Sequence, residues 1–216
     1  MRVEQQNKFI EVLDFLKNYA NKTYKSPERE MDIIEKNKLE DIRNKGKNAV
    51  STFKDMYGHF EDEDYKNSRN PKWLSVNGSK VRGGFWSELK RKDKIDLPSS
   101  ISIIANKNKE IRFAVYIELK FDNATKQDYL RHNRFLDILD IDKEDFDYFA
   151  TESTIKDGID VNNASKDEIK NYINNIMDKE TGHICVGKSF NYDFIKQHTS
   201  EEIINFMKDT VNKLKK

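Results

Sequence analysis

The segment "IRFAVYIELKF", residues 111–121, constrains the fold more than any other part of the chain. Successive side chains of a β-strand point to opposite faces, so a strand with one buried face has apolar residues at every second position. This segment follows that rule over its whole length, with Ile111, Phe113, Val115, Ile117, Leu119 and Phe121. The preceding "SISII" has the same period, and "NKNK" joins the two, which predicts an antiparallel hairpin.

A sheet with one apolar face needs a second layer to cover that face. Helical periodicity in residues 1–60 predicts a helical hairpin, whose second helix we expect to begin at Ser26, before Pro27. Two capping boxes, which begin at Ser165 and Thr199, predict later helices. We therefore predict an α+β fold, in which helices flank an antiparallel sheet of about four to six strands. The length of 216 residues fits a single domain over 1–216, with a helical part at 1–60 and an α+β core at 66–216.

Several function classes lack their signatures in this sequence. Neither the dinucleotide fingerprint G-x-G-x-x-G nor the P-loop pattern occurs, which disfavours a Rossmann dehydrogenase and a P-loop enzyme. The four histidines and one cysteine have no zinc-ligand spacing, so we expect neither a metal nor a cofactor. A single cysteine and short apolar runs are typical of a cytoplasmic protein that does not contact a membrane. Frequent Lys, Asn and Ile indicate a bacterial genome of low GC content.

The stretch "WLSVNGSKVRGGFWSELKRK", residues 73–92, concentrates cations in a chain whose net charge is only +1. Residues 66–94 contain nine basic and two acidic side chains. Asn77-Gly78 predicts a two-residue hairpin turn with positive φ at both positions, which would place Trp73 opposite Arg82 as a cation–π pair. The following "GGFW" predicts either a bend or a close approach of backbone to a ligand.

Our leading interpretation is a non-enzymatic binding module that contacts nucleic acid or another polyanion. Interleaved aromatic and cationic side chains can stack on bases and contact phosphates. The other interpretation is that an aromatic pair fixes the hairpin while the lysines keep the protein soluble. The candidate ligand-binding residues are Trp73, Lys80, Arg82, Trp86, Lys90, Arg91, Lys92, Arg112 and Tyr116.

Two Glu-x-Lys triplets support an enzymatic alternative, a Mg²⁺-dependent nuclease. Glu118 and Lys120 lie two apart on the predicted strand and therefore point the same way, as such a half-site requires. Asp96 or Glu110 would supply the further acid, and only this alternative needs Mg²⁺. Cross-strand ion pairs also explain the triplets, which include Glu88-Leu89-Lys90. A third alternative is a protein-interaction role, with homodimerisation through the N-terminal helices.

The order of five segments resembles a family of small uncharacterised bacterial proteins, some of which are labelled glucose-6-phosphate dehydrogenase. These segments are "FWSELK", "LPSSISI", "RFAVYIELK", "GHICVGKSF" and "SEEIINFMKDTVNKL". The final strand and helix are also similar to the N-terminal target-recognition domain of McrB-type restriction proteins. Those domains hold a base in an aromatic pocket, so the resemblance implies candidate roles for Trp73, Trp86 and Tyr116 without a residue-by-residue match.

Overall fold

The computed structural model describes residues 7–106, 111–120, 124–138, 146–151, 165–177 and 182–215. For residues 147–151 it describes the backbone only. The helices are α1 Phe9–Tyr19, α2 Ile33–Gly58, α3 Lys126–Asn133, α4 Lys166–Met177, α5 Tyr192–Gln197 and α6 Ser200–Leu214. The strands are β1 Tyr65–Asn67, β2 Gly84–Arg91, β3 Ser99–Asn106, β4 Arg112–Leu119, β5 Asp147–Thr151 and β6 His183–Asn191.

The six strands form one antiparallel sheet in the order β1-β2-β3-β4-β6-β5. The predicted α+β fold with four to six strands is therefore confirmed. The predicted hairpin is β3 and β4, in which Ser102 pairs with Tyr116. Strand β2 was not predicted, because Gly83, which precedes it, and Gly84, which begins it, favoured a bend. A Cβ on Gly84 would lie 2.6 Å from the carbonyl oxygen of Ala105, so the close approach is to the neighbouring strand.

One face of this sheet packs against the helices and forms the hydrophobic core. Core side chains of the central strands, such as Phe113 and Val115, are fully buried there with Phe9 of α1, Phe53 of α2 and Met207 of α6. The alternation of β4 thus places its odd-numbered residues in the core, as the sequence predicts. No described helix is long and apolar enough to cross a membrane.

Helix α3 packs against β6 through polar contacts of its side chains. Nε2 of His132 lies 2.6 Å from the carbonyl oxygen of Ile184, and the Asn133 side-chain oxygen accepts a hydrogen bond from the Ile184 backbone N–H. The other ring nitrogen of His132 lies 2.9 Å from the Ser99 hydroxyl. Burial lowers the pKa of His132 to about 4, so its imidazole is neutral at physiological pH.

The N-terminal helical hairpin is present, but α2 begins later than the sequence predicted. Residues Pro27–Arg29 form only a short 3-10 turn. Asp32 is the N-cap of α2, and its carboxylate accepts hydrogen bonds from the backbone N–H groups of Ile34 and Glu35. An Asp that satisfies two otherwise unpaired N–H groups is a stronger start signal than Ser26, whose side chain makes no capping bond.

The predicted register of the Asn-Gly hairpin is confirmed, whereas the predicted turn is wrong. Leu74 pairs with Val81, and the Ser75 N–H donates to the Lys80 carbonyl. Only Gly78 has a positive φ, of 69°, and its N–H donates to the Ser75 carbonyl. The connection is therefore longer than two residues. Asn77 uses its side chain instead, by accepting hydrogen bonds from the hydroxyl groups of Ser75 and Ser79.

Gly187→Ala should destabilise the fold by at least about 1–3 kcal/mol, because an added Cβ would overlap the Val115 carbonyl oxygen and lie 2.6 Å from Cα of Tyr116. Gly58→Ala is the matched control. An added Cβ there has no neighbour within 4 Å at the end of α2, so the variant should equal or exceed the wild type in stability. Urea denaturation measures both, and equal stabilities would contradict the prediction.

Candidate functional site

The two tryptophans lie on opposite sides of the sheet. Trp73 packs on the core side, with its ring centroid 4.8 Å from that of Tyr24 and 6.2 Å from that of Phe15. Its ring lies so close to α2 that a Cβ on Gly46 would be 2.6 Å from it. Trp86 stands on the other face of β2, since its neighbour Phe85 is a core residue. The predicted surface that unites both tryptophans is therefore divided by the sheet.

The predicted cation–π pair of Trp73 and Arg82 is not formed among the described residues. The Arg82 guanidinium donates instead to the carbonyl oxygen of Leu74, over 2.8 Å. Trp73 has aromatic neighbours from α1 and from the segment between α1 and α2, which hold its ring inward. Lys80 lies on the exposed part of the hairpin.

The cations at the end of β2 bind the chain itself. Lys90 donates to the carbonyl oxygens of Ile95 and Leu97, over 3.1 and 2.7 Å. Arg91 forms an ion pair with Asp93, and Lys92 donates to the backbone carbonyls of residues 62 and 63. Each of these three cations therefore contacts a carbonyl or carboxylate group of the same chain, in a turn or near the end of a strand. The three side chains do not form one continuous cationic surface.

Trp86 is the centre of a second group of residues, which we call the polar face. We define it by Arg69, Trp86, Glu88, Ser102, Arg112, Tyr116, Glu118, Lys120 and Ser189. The guanidinium carbon of Arg69 lies 3.8 Å from the centroid of the Trp86 ring, and Nζ of Lys120 lies 6.0 Å from it. The indole N–H donates to the hydroxyl of Ser102 over 2.9 Å, and this hydroxyl donates to the Glu118 carboxylate. These contacts connect three neighbouring strands.

The two Glu-x-Lys triplets meet on the polar face, where Lys120 of one forms an ion pair with Glu88 of the other. Glu88 is only 6% exposed. Its carboxylate lies 3.4 Å from Arg69 and 3.9 Å from Lys120, which belongs to the other triplet. Ser68 donates a further hydrogen bond to it. The buried charge of Glu88 is therefore compensated by two cations, as buried carboxylates require.

Glu118 has a different environment from Glu88. Burial raises the pKa of its carboxyl, the hydrogen bond from Ser102 opposes that rise, and the charge of Glu88 adds to it. Complete burial, and after it the same carboxyl, raise the pKa of the Cys185 thiol on β6. Cys185 is thus held in its unreactive thiol form.

Arg112, Tyr116 and Ser189 form the far part of the polar face. Arg112 donates to the Ser189 hydroxyl over 2.9 Å, and the Tyr116 hydroxyl also contacts it. Tyr116 is nearly fully buried, because its ring lies against Gly187 of the next strand. Arg112 is half-buried, with its guanidinium carbon 5.8 Å from the Tyr116 ring centroid. Of these three residues, Arg112 is thus the one best placed to reach a ligand.

A complete metal centre is missing from the described residues. No group of three or more His, Cys, Asp and Glu side chains there could hold a metal ion. Asp96 is exposed in the turn after β2, and Glu110 lies outside the described residues. The nuclease alternative therefore has Glu118 and Lys120 on the correct face, but no third ligand within the described part of the chain.

Sequence reasoning identified Trp86, Glu118 and Lys120 but assigned no role to Arg69. Arg69 lies between β1 and β2, in "NSRNPK", which has no apolar period to indicate its direction. The predicted alternation of β3 did place Ser102 on the face of Glu118. The missing information was the pairing of β2 with β3, which brings Trp86 beside Ser102.

Comparison with protein-family models places the chain in a family. A protein-family model matches residues 3–216, which include every described residue. No curated protein matches the chain. The functional conclusion must therefore come from the chemistry of the polar face.

Glu118→Gln should become more stable relative to the wild type as pH rises from 4 to 8. A carboxyl whose pKa is raised in the folded state favours folding when protonated, and that contribution is lost as pH rises through the raised pKa. Glutamine is uncharged and retains an acceptor for Ser102. Urea midpoints at a series of pH values measure the difference, with Glu40→Gln on the exposed side of α2 as control. A difference that does not change with pH would contradict the prediction.

Proposed function

We propose that the chain, which belongs to the protein family matched over residues 3–216, is a binding module for single-stranded nucleic acid. The polar face is the proposed binding surface. The observation that carries the proposal is the half-buried Trp86 ring under the guanidinium of Arg69, on the side of β2 away from the core. Bases stack on aromatic rings and on Arg guanidinium planes, and such stacking is worth about 1–3 kcal/mol per base.

The distribution of charge on the polar face supports an anionic ligand. Three cations, Arg69, Arg112 and Lys120, surround Trp86 or lie along the same face. Arg69 and Lys120 have side-chain exposures of 36% and 44%, so their donors remain accessible to phosphates. Because Glu88 is buried beneath them, its charge is neutralised locally and does not extend into solvent.

The resemblance to McrB-type target-recognition domains agrees with this proposal in one respect. Such domains hold a base in an aromatic pocket, and Trp86 is the aromatic residue of this chain best placed for that role. Trp73 and Tyr116 are less suited, because one packs on the core side and the other is buried. A dehydrogenase activity has less support, since the chain contains no dinucleotide fingerprint.

Binding of a short oligothymidine should quench the fluorescence of Trp86 but not that of Trp73. Trp86→Phe should therefore abolish most of the quenching and weaken binding about tenfold, because a smaller ring stacks less well. Trp73→Phe is the matched control and should retain both signals. If Trp73→Phe lost the quenching and Trp86→Phe retained it, the surface would be wrongly assigned.

The same titration at several salt concentrations measures the contribution of the cations. Three phosphate contacts predict about a tenfold or greater loss of affinity between about 50 and about 200 mM salt. Lys120→Ala should reduce this dependence, whereas Lys47→Ala on the exposed side of α2 should leave it unchanged. Equal affinity at low and high salt would contradict the proposed electrostatic contacts.

Homodimerisation through the N-terminal helices is a second candidate function. Met31, Ile33 and Ile34, at the start of α2, are 100%, 65% and 63% exposed. Three neighbouring apolar side chains in water are typical of a contact surface.

The double variant Ile33→Lys/Ile34→Lys should convert a dimer of the chain to a monomer, because two lysines oppose the burial of this surface. Light scattering coupled to gel filtration measures the mass. Val76→Lys replaces another exposed apolar side chain, which is 97% exposed on the hairpin, and should leave the dimer intact. A monomeric wild type at high concentration would exclude this candidate.

A further inference from the structure

The hydrogen-bond chain on the polar face has a fixed direction. An indole N–H can only donate, so the Ser102 hydroxyl must accept from Trp86. The single hydroxyl proton of Ser102 is then free to point to Oε1 of Glu118, which accepts it. Ser102 is fully buried and has no freedom to exchange these partners with water. The carboxyl of Glu118 is therefore held in a fixed position relative to the Trp86 ring, one hydroxyl group away.

Glu118 keeps unused hydrogen-bonding capacity. Among the described residues, the bond from Ser102 is its one hydrogen bond, and no cation forms an ion pair with it. Glu88 on the same face is the internal comparison, since it accepts bonds from Ser68 and Arg69 and lies beside Lys120. A carboxylate has about four acceptor positions and Ser102 uses one of them, so the partly exposed Glu118 side chain has acceptor positions left for a ligand.

The chemistry of the four bases decides which one suits a fixed carboxylate acceptor. The Watson–Crick edge of guanine presents two adjacent donors, its N1–H and the exocyclic N2 amine. Adenine and cytosine each present one amine beside a ring acceptor, which repels a carboxylate, and thymine presents one N–H between two carbonyls. Only guanine can therefore donate two parallel hydrogen bonds to one carboxylate, an arrangement with both energy and geometric specificity.

We infer that Glu118 is a specificity-determining residue, which accepts two hydrogen bonds from the Watson–Crick edge of a guanine stacked on the Arg69–Trp86 pair. This inference rests on the proposed nucleic-acid binding and adds the base that the site selects. Arg69 and Trp86 supply stacking, which is available to all bases. Glu118 supplies the hydrogen-bond contact that distinguishes guanine from the other bases.

The test is a set of short oligothymidines in which one central nucleotide is guanine, hypoxanthine, adenine, cytosine or thymine. The guanine oligonucleotide should bind the wild type about tenfold more tightly than the adenine one, because a bidentate base contact is worth about 1–3 kcal/mol of discrimination. Hypoxanthine lacks the N2 amine but keeps N1–H, so its affinity should be intermediate. Fluorescence anisotropy measures all five affinities at one salt concentration.

Glu118→Gln is the decisive variant. Its side-chain oxygen can still accept from Ser102, but the amide faces guanine with donors of its own, so the guanine preference should disappear. The preference is measured as the ratio of the guanine and adenine affinities, so a uniform change in affinity does not affect it. Glu40→Gln, on the exposed side of α2, should retain the preference.

The outcomes separate this inference from the proposed function. Equal affinity for all five oligonucleotides, with binding that still depends on Trp86 and salt, would overturn the role of Glu118 and leave the proposed function intact. A guanine preference that persists in Glu118→Gln would also overturn it. If no oligonucleotide binds, both the inference and the proposed function are wrong.

Discussion

The burial of one face of the central strands is the constraint on which the rest of this structure depends. Ile103 and Leu119 are buried, and strand geometry then forces their neighbours Ser102 and Glu118 onto the other face. That face cannot contain isolated polar groups where it is buried, because an unpaired buried donor or acceptor costs about 1–3 kcal/mol. Ser102, which is fully buried, therefore uses both its acceptor and its donor capacity within the sheet. The order of apolar and polar residues in β3 and β4 thus determines the core and the candidate site together.

Features that depend on local sequence could be predicted. The alternation in "IRFAVYIELKF" predicted β4, in which Phe113, Val115 and Leu119 are buried as expected, and the capping box at Thr199 predicted the start of α6. The register of the hairpin that contains Leu74 and Val81 also followed from its sequence. The predicted start of α2 was wrong, because Ser and Asp are both capping residue types and the sequence does not show that Asp32, and not Ser26, makes the capping hydrogen bonds. The predicted single domain stays a prediction, although core residues extend from Phe9 to Leu214.

Features that depend on distant contacts could not be predicted. A two-stranded hairpin has two faces, and its sequence does not state which one turns toward the core. Gly46 decides this for Trp73, because the absence of a side chain on α2 leaves room for the indole ring. In the same way, the sequence shows the density of cations from Lys90 to Lys92 but not the carbonyl groups that they contact. The candidate site is consequently smaller than the predicted surface, and it includes Arg69, whose position depends on tertiary packing alone.

The contrast between Glu88 and Glu118 explains why the polar face is a better candidate for recognition than for stability. Both glutamates come from the same Glu-x-Lys pattern, but the two nearby cations, Arg69 and Lys120, contact Glu88. Glu118 is left partly desolvated with one neutral hydrogen bond. The free-energy cost of desolvating its charged form raises its pKa. A ligand that donates N–H groups to Glu118 would remove part of the cost when it binds, and it would thereby stabilise the folded state by linkage. A ligand without such donors would leave the cost in place, so an under-compensated carboxyl beside an aromatic ring discriminates between ligands that stack equally well.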